Sequence, residues 1–202
     1  MTIFDILVKG GIIIPPIILC SVIALAAFLE RLWSLHPQKI LPAMFIERVE
    51  FLIKEQRVNE ALTLCQESKS PMANIMAAAL RNAYKPRTQV KEAVLEIGKL
   101  ESALLDRHVE LIGTMASIAP LLGLLGTVLG MIKVFQKVEE TGLGDPSTFA
   151  NGIWEALITT AVGLVVSIPA FIAYKYLFAK VDRLVLEMQE RSLRTIDILS
   201  KD

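Results

Sequence analysis

Among the polar side chains inside or beside the long uncharged runs of this chain are Thr127, Thr160 and Glu155. A threonine hydroxyl donates one hydrogen bond and accepts up to two, so a ring of them can hold water or partly replace an ion's hydration shell. Glu155 follows Trp154 at the start of one run, and acids at membrane depth are seldom left facing lipid. A facing helix or a hydrated path would suit its carboxylate, and so would headgroup water beyond the run. Thr160 lies five residues inside Glu155, ~7.5 Å at the helical rise, and Thr127 lies six inside Lys133, ~9 Å. On antiparallel neighbours the two hydroxyls come to nearly one level, although each can instead bond a carbonyl of its own helix. No aspartate, glutamate or histidine occupies the middle of any run. A proton carrier needs a titratable site, so if ions pass here a partner supplies the central carboxylate.

The elements that must position these groups are set by the runs themselves. Gly10–Leu29, Leu111–Ile132 and Ala156–Tyr174 lack charge over about 20 residues each, the length at which a helix crosses the hydrocarbon core. Lipid offers the backbone no hydrogen-bond partner, so such runs are expected to be helices. Lys9 and Ala24-Leu25-Ala26 imitate a cleaved signal, but the apolar stretch runs on to Leu29 and is interrupted by Pro15-Pro16. A retained helix is therefore expected. Arg31, Lys39, Lys99, Arg107, Lys175, Lys180 and Arg183 flank one set of ends. The connection from Lys133 to Glu155 carries Glu139, Glu140 and Asp145 against Lys133 and Lys137. The positive-inside rule puts the former ends in the cytoplasm and the N-terminus outside.

The charged parts are helical too. Val58, Ala61, Leu62 and Cys65 share one helical face, as do Met72, Ile75, Met76 and Ala79. Pro42 and Pro71 sit where helices begin, and Pro86 separates one pattern from the next. From Thr88 the pattern runs unbroken into the second apolar run, and Val181, Leu184, Val185 and Met188 carry the third run onward. Gly142, Gly144 and Pro146 mark a turn. The expected fold is an all-α membrane protein with three transmembrane helices, the second and third extended into the cytoplasm, and a small cytoplasmic helical domain. Its segments are residues 1–30 (periplasmic N-terminus and first transmembrane helix), 31–110 (cytoplasmic), 111–135 (second helix), 136–151 (periplasmic loop), 152–178 (third helix) and 179–202 (cytoplasmic tail).

Small residues recur where helices would have to meet. Ala119 and Gly123 are four apart, as are Gly126 and Gly130, and Gly163 lies in the third run. Such spacing lets backbones approach closely, with or without a transport role. The balance of 21 basic and 21 acidic residues points to no nucleic-acid partner. Cys20 and Cys65 lie in unlike surroundings, and His36 and His108 are too scattered for a metal cluster. No nucleophile–base constellation, cofactor motif or discontinuous helix pair is present, so neither an enzyme, a cofactor nor a self-contained transporter is expected.

Two stretches carry a family resemblance. Pro120-Leu-Leu-Gly-Leu-Leu-Gly-Thr127-Val-Leu-Gly-Met-Ile132 resembles the second-helix signature of the ExbB/TolQ/MotA proton-channel family. Gly152-Ile153-x-Glu155-Ala156-Leu157-x-x-Thr160-Ala161-x-Gly163-Leu164, then Ile168-Pro169-Ala170, is similar to its third-helix signature. Gly10-Gly11, Pro16, Ser21 and Glu30-Arg31-Leu32 match its first helix more loosely. The three-helix ExbB/TolQ branch fits best. The resemblance implies a homopentamer around the helices of an ExbD/TolR-like dimer that supplies the protonatable aspartate. It further implies proton-driven rotation in the bacterial inner membrane, passed on to a TonB-like or Tol-like periplasmic partner. Thr127 and Thr160 fall on the family's pore threonines and Glu155 on its third-helix glutamate. Trp154 and Thr159 depart from the family's smaller residues. The added hydroxyl of Thr159 beside the pathway opens a sodium-driven alternative, and a non-conducting scaffold for a partner helix is the other.

Overall fold

The computed structural model describes residues 11–141 and 146–200. Among them it shows helices and turns and no strand. A 3-10 turn, Gly11–Ile13, leads into α1, Ile14–Ser34. Four short helices follow: α2 (Pro37–Ile40), α3 (Ala43–Lys54), α4 (Val58–Glu67) and α5 (Pro71–Arg81). Two long ones complete the chain: α6, Arg87–Thr141, and α7, Pro146–Leu199. Three helical stretches are long and apolar enough to cross a membrane: Gly11–Ser34, Arg87–Glu139 and Gly152–Leu199. The protein is thus an all-α membrane protein, as its uncharged runs require.

The helices begin and end for local reasons. Ser70 caps α5 by accepting from the Ala73 amide at 3.2 Å, and Pro71 takes the first turn, where its missing N–H is not needed. Pro86 immediately precedes α6. α3 closes in a Schellman turn: the Arg57 amide reaches the Leu52 carbonyl at 2.9 Å, with Gln56 in the left-handed region at φ 59°. The loop expected over 136–151 is largely helical, because Val134 and Val138 continue the stripe of α6 and Pro146 suits a helix start. Of the expected turn residues, Gly142 and Gly144 lie outside the described residues, as do Asp145, Lys9 and Gly10.

The chain divides into two compact units. One comprises the chain up to Glu30 and His108–Tyr176, hence most of α1 and the apolar stretches of α6 and α7. Its buried residues include Ile14, Ile17, Ile112, Ala116 and Ala119, while Leu121, Leu157 and Val165 are exposed along the helices. The other unit, Arg31–Arg107 with Leu177–Asp202, has a core of Ile46, Val49, Ala61, Cys65, Met72, Met76, Val90, Leu177 and Met188. The faces expected for α4 and α5 are the buried ones: Ala61 and Cys65, then Met72, Ile75, Met76 and Ala79. Charged ties hold the end of α7 to this core. Arg194 pairs with the buried Glu50 at 3.3 Å, and Arg87 pairs with Asp197.

Burial pushes the Cys65 thiol up to about 12. At pH 8 about one thiol in ten thousand would be thiolate, the form that reacts with alkylating reagents. Cys65 should therefore resist iodoacetamide in the folded protein and react once denatured, as read by intact mass. The raised value favours the neutral thiol in the fold, so this contribution is complete below the ordinary 9.0 and is lost as pH rises toward about 12.

Candidate functional site

Helices α6 and α7 run antiparallel in their unit and meet along a ladder of small residues. A Cβ placed on Gly163 would lie 2.7 Å from the Ala119 carbonyl oxygen, and one on Gly123 would lie 2.9 Å from the Thr159 carbonyl oxygen. One on Gly126 would run into the Thr159 side chain, and one on Gly130 would come within 2.9 Å of the Ala156 Cβ. The ladder continues to Gly152 against Val134 at one end and Gly113 against the Tyr174 ring at the other. Backbone therefore touches backbone, gaining dispersion contact that lipid cannot supply. All five residues picked for helix packing, Ala119, Gly123, Gly126, Gly130 and Gly163, lie on this seam.

The seam also resolves a backbone defect. Pro120 sits inside α6, and its missing N–H leaves the Ala116 carbonyl without its usual helical donor. The Ser167 hydroxyl of α7 donates to that carbonyl at 2.7 Å. Ser167 thus has a role that sequence reading passed over, although a proline and a hydroxyl on facing helices are the signal for it.

The three threonines differ in what they do. Thr159 is buried, 2% exposed, and its hydroxyl donates to the Ala156 carbonyl at 2.7 Å with the Gly123 carbonyl 3.4 Å away. Thr160, at the seam's edge, donates to the Gly123 carbonyl at 3.0 Å. Thr127 donates to the Leu124 carbonyl of its own helix at 2.6 Å. The pairing of Gly126 with Thr159 and of Gly130 with Ala156 puts Thr127 level with about position 158, ~3 Å from the level of Thr160. At about 100° per residue, Thr127 and Thr160 each stand roughly 50–60° off the seam's midline. Because the helices are antiparallel, both stand to the same side. Exposed Leu124, Ile153, Leu157 and Leu164 border them there.

Glu155 lies on the other side. Five residues separate it from Thr160, about 140° around α7. Its carboxylate pairs with the Lys133 ammonium at 3.2 Å, and the side chains are 30% and 60% exposed. Gly11, before α1, is the third member: a Cβ there would collide with the Glu155 carboxylate and stand 3.9 Å from Lys133 Nζ. The structure therefore puts Thr159 on the seam, Thr127 and Thr160 on one flank of it, and Glu155 on the other. Lys133 is visible from sequence only as a flanking charge. Its distance from Gly144 equals that of Glu155 on the other side, which is the pattern of an ion pair across a hairpin.

The family model described as the MotA/TolQ/ExbB proton channel family matches residues 67–190, a stretch that includes the whole seam. The chain belongs to this family. It is 32% identical over 176 residues to a biopolymer transport ExbB-like protein of Synechocystis, covering 86% of this chain and 81% of that one. It is 28% identical over 182 residues to a biopolymer transport ExbB homologue of Methanothermobacter thermautotrophicus, covering 90% of this chain but 64% of the relative. These names place it with the ExbB/TolQ branch. Among solved structures, C. jejuni MotAB shares the fold with a TM-score of 0.56 at 19% identity, over 96% of this chain and 77% of that one.

The seam predicts an asymmetry between glycines. Gly123→Ala would press on backbone atoms of Thr159 and Thr160, which cannot swing aside, and should cost about 1–3 kcal/mol. Gly98→Ala, where nothing lies within 4 Å, should gain about 0.5–1 kcal/mol from helix propensity. Thermal unfolding of both variants in detergent checks the pair of signs.

Proposed function

We propose that this chain is the channel-forming subunit of a proton-motive-force-driven motor of the bacterial inner membrane, working on a TonB-like or Tol-like periplasmic system. The observation that carries this reading is the flank shared by Thr127 and Thr160: two hydroxyls about one level apart on uncovered helix surface, in apolar runs that hold no central acid. An uncovered apolar flank suits a helix from another chain. The missing acid suits a helix that brings an aspartate, as in an ExbD/TolR-like dimer enclosed by a homopentamer. Residues 31–110 and 179–202 face the cytoplasm in this reading, and 136–151 the periplasm, in accord with the flanking charges.

In this route Thr127 and Thr160 line the wet side. Each hydroxyl spends its proton on a carbonyl, so its oxygen is left to accept from water or meet a cation. Thr159 packs the seam. The sodium alternative drew on Thr159 as an added ligand, and that side chain is enclosed between the two helices, which favours the proton.

Reconstitution with the single-helix partner tests the reading. Thr127→Val and Thr160→Val should each lower uncoupler-sensitive turnover by at least about tenfold, equivalent to about 1.4 kcal/mol, with assembly retained. Thr159→Val, which keeps the packed shape, should remain near wild type. Turnover at constant pH should not follow sodium. Full turnover with both pathway threonines changed, or turnover indifferent to uncoupler, would leave a scaffold as the better account.

A further inference from the structure

Where the pathway reading leaves Glu155 unexplained, three elements converge. Its carboxylate is two-thirds enclosed and 3.2 Å from Lys133 Nζ, although the lysine belongs to α6 and the acid to α7. The chain crosses above them at Gly11, whose φ of +65° is the left-handed conformation that glycine adopts freely. Any Cβ at that point would occupy the space of the carboxylate. A carboxylate at the edge of an apolar run is costly without a counter-charge, and Lys133 provides one. The group is also turned about 140° from Thr160 around α7, away from the hydroxyl-lined flank.

We propose that Lys133 is the positioning residue for Glu155, and that this ion pair, roofed by the turn at Gly11, locks α1, α6 and α7 together at the end of the hairpin instead of lending its carboxylate to the ion route. The ladder of small residues sets how near α6 and α7 come. The ion pair sets their register where the ladder ends, and ties the start of α1 to both. Glu155 is then required because it is bound to Lys133, and the two residues should fail together. This inference rests on the channel reading, which defines the route that Glu155 stands apart from.

Two measurements on the full complex test it. In uncoupler-sensitive turnover, Lys133→Gln and Glu155→Gln should each lose about tenfold, and Lys133→Arg should stay within about threefold of wild type. The charge swap Lys133→Glu with Glu155→Lys should recover at least about tenfold over either single reversal, because a lock is indifferent to which helix bears which charge. A carboxylate that contacts the ion at position 155 could not be replaced by one at 133. In membranes, a water-soluble carbodiimide should join Lys133 Nζ to Glu155 Cδ as an amide within one chain, with loss of one water, as read by peptide mass. A swap no more active than its single reversals, or membranes in which the joined peptide does not form, overturns the lock. Thr127→Val with Thr160→Val, measured alongside, separates the two ideas: their full activity removes the channel reading, while the joined peptide still scores the lock.

Discussion

Close approach of two helix backbones is the constraint on which the membrane unit depends. Between lipid and protein there is little hydrophobic gain to be had, so α6 and α7 associate through contact area and through hydrogen bonds that lipid cannot make. Gly123, Gly126, Gly130 and Gly163 remove the side chains that would hold the helices apart, and the hydroxyls of Thr160 and Ser167 cross the gap to carbonyls of α6. Pro120 belongs to the same arrangement. It frees a carbonyl on the face where a donor from α7 arrives.

That seam sorts the polar groups by side. Thr159 lies on the midline and is consumed by packing. Thr127 and Thr160 fall off it in one direction, where the chain leaves the helices uncovered. Lys133 and Glu155 fall off it in the other, where the turn at Gly11 lies against the Glu155 carboxylate. A single antiparallel pair thus separates a hydroxyl-bearing flank from an ionic one. The proposed division of labour follows: one flank for the route and its partner helix, the other for holding the protomer together. In the second unit Arg194 of α7 pairs with the buried Glu50 of α3, and Arg87 of α6 pairs with Asp197 of α7, so both long helices carry ties beyond their apolar stretches.

Much of this was legible in the residues, for identifiable reasons. Three uncharged runs could only be helices, and the unbroken stripes on either side required α6 and α7 to run on far past them. Glycines four apart announced a seam, and the depth of the threonines followed from counting along two helices. What stayed hidden was angular. Counting gives level but says nothing of side until the midline is known, so Thr159 looked like one more oxygen near the route and Glu155 like its companion. The partner of Glu155 was hidden for a different reason: Lys133 counted as a topology signal, and only the pairing of the helices shows it to be a counter-ion. The helical part of the 136–151 stretch is hard to read because Gly142, Gly144 and Pro146 mark a turn there, whereas Val134 and Val138 continue the helix stripe up to it.

The central claim is that Thr127 and Thr160 share a water-bearing flank. Single cysteines at 127, 160 and 165, in a chain with Cys20 and Cys65 replaced, probe it through reaction with a small charged methanethiosulfonate in native membranes. Val165, 71% exposed and turned away from the seam, is the control. The account predicts fast modification at 127 and 160 and slow modification at 165. The reverse order, with 165 reactive and both threonine positions inert, contradicts it.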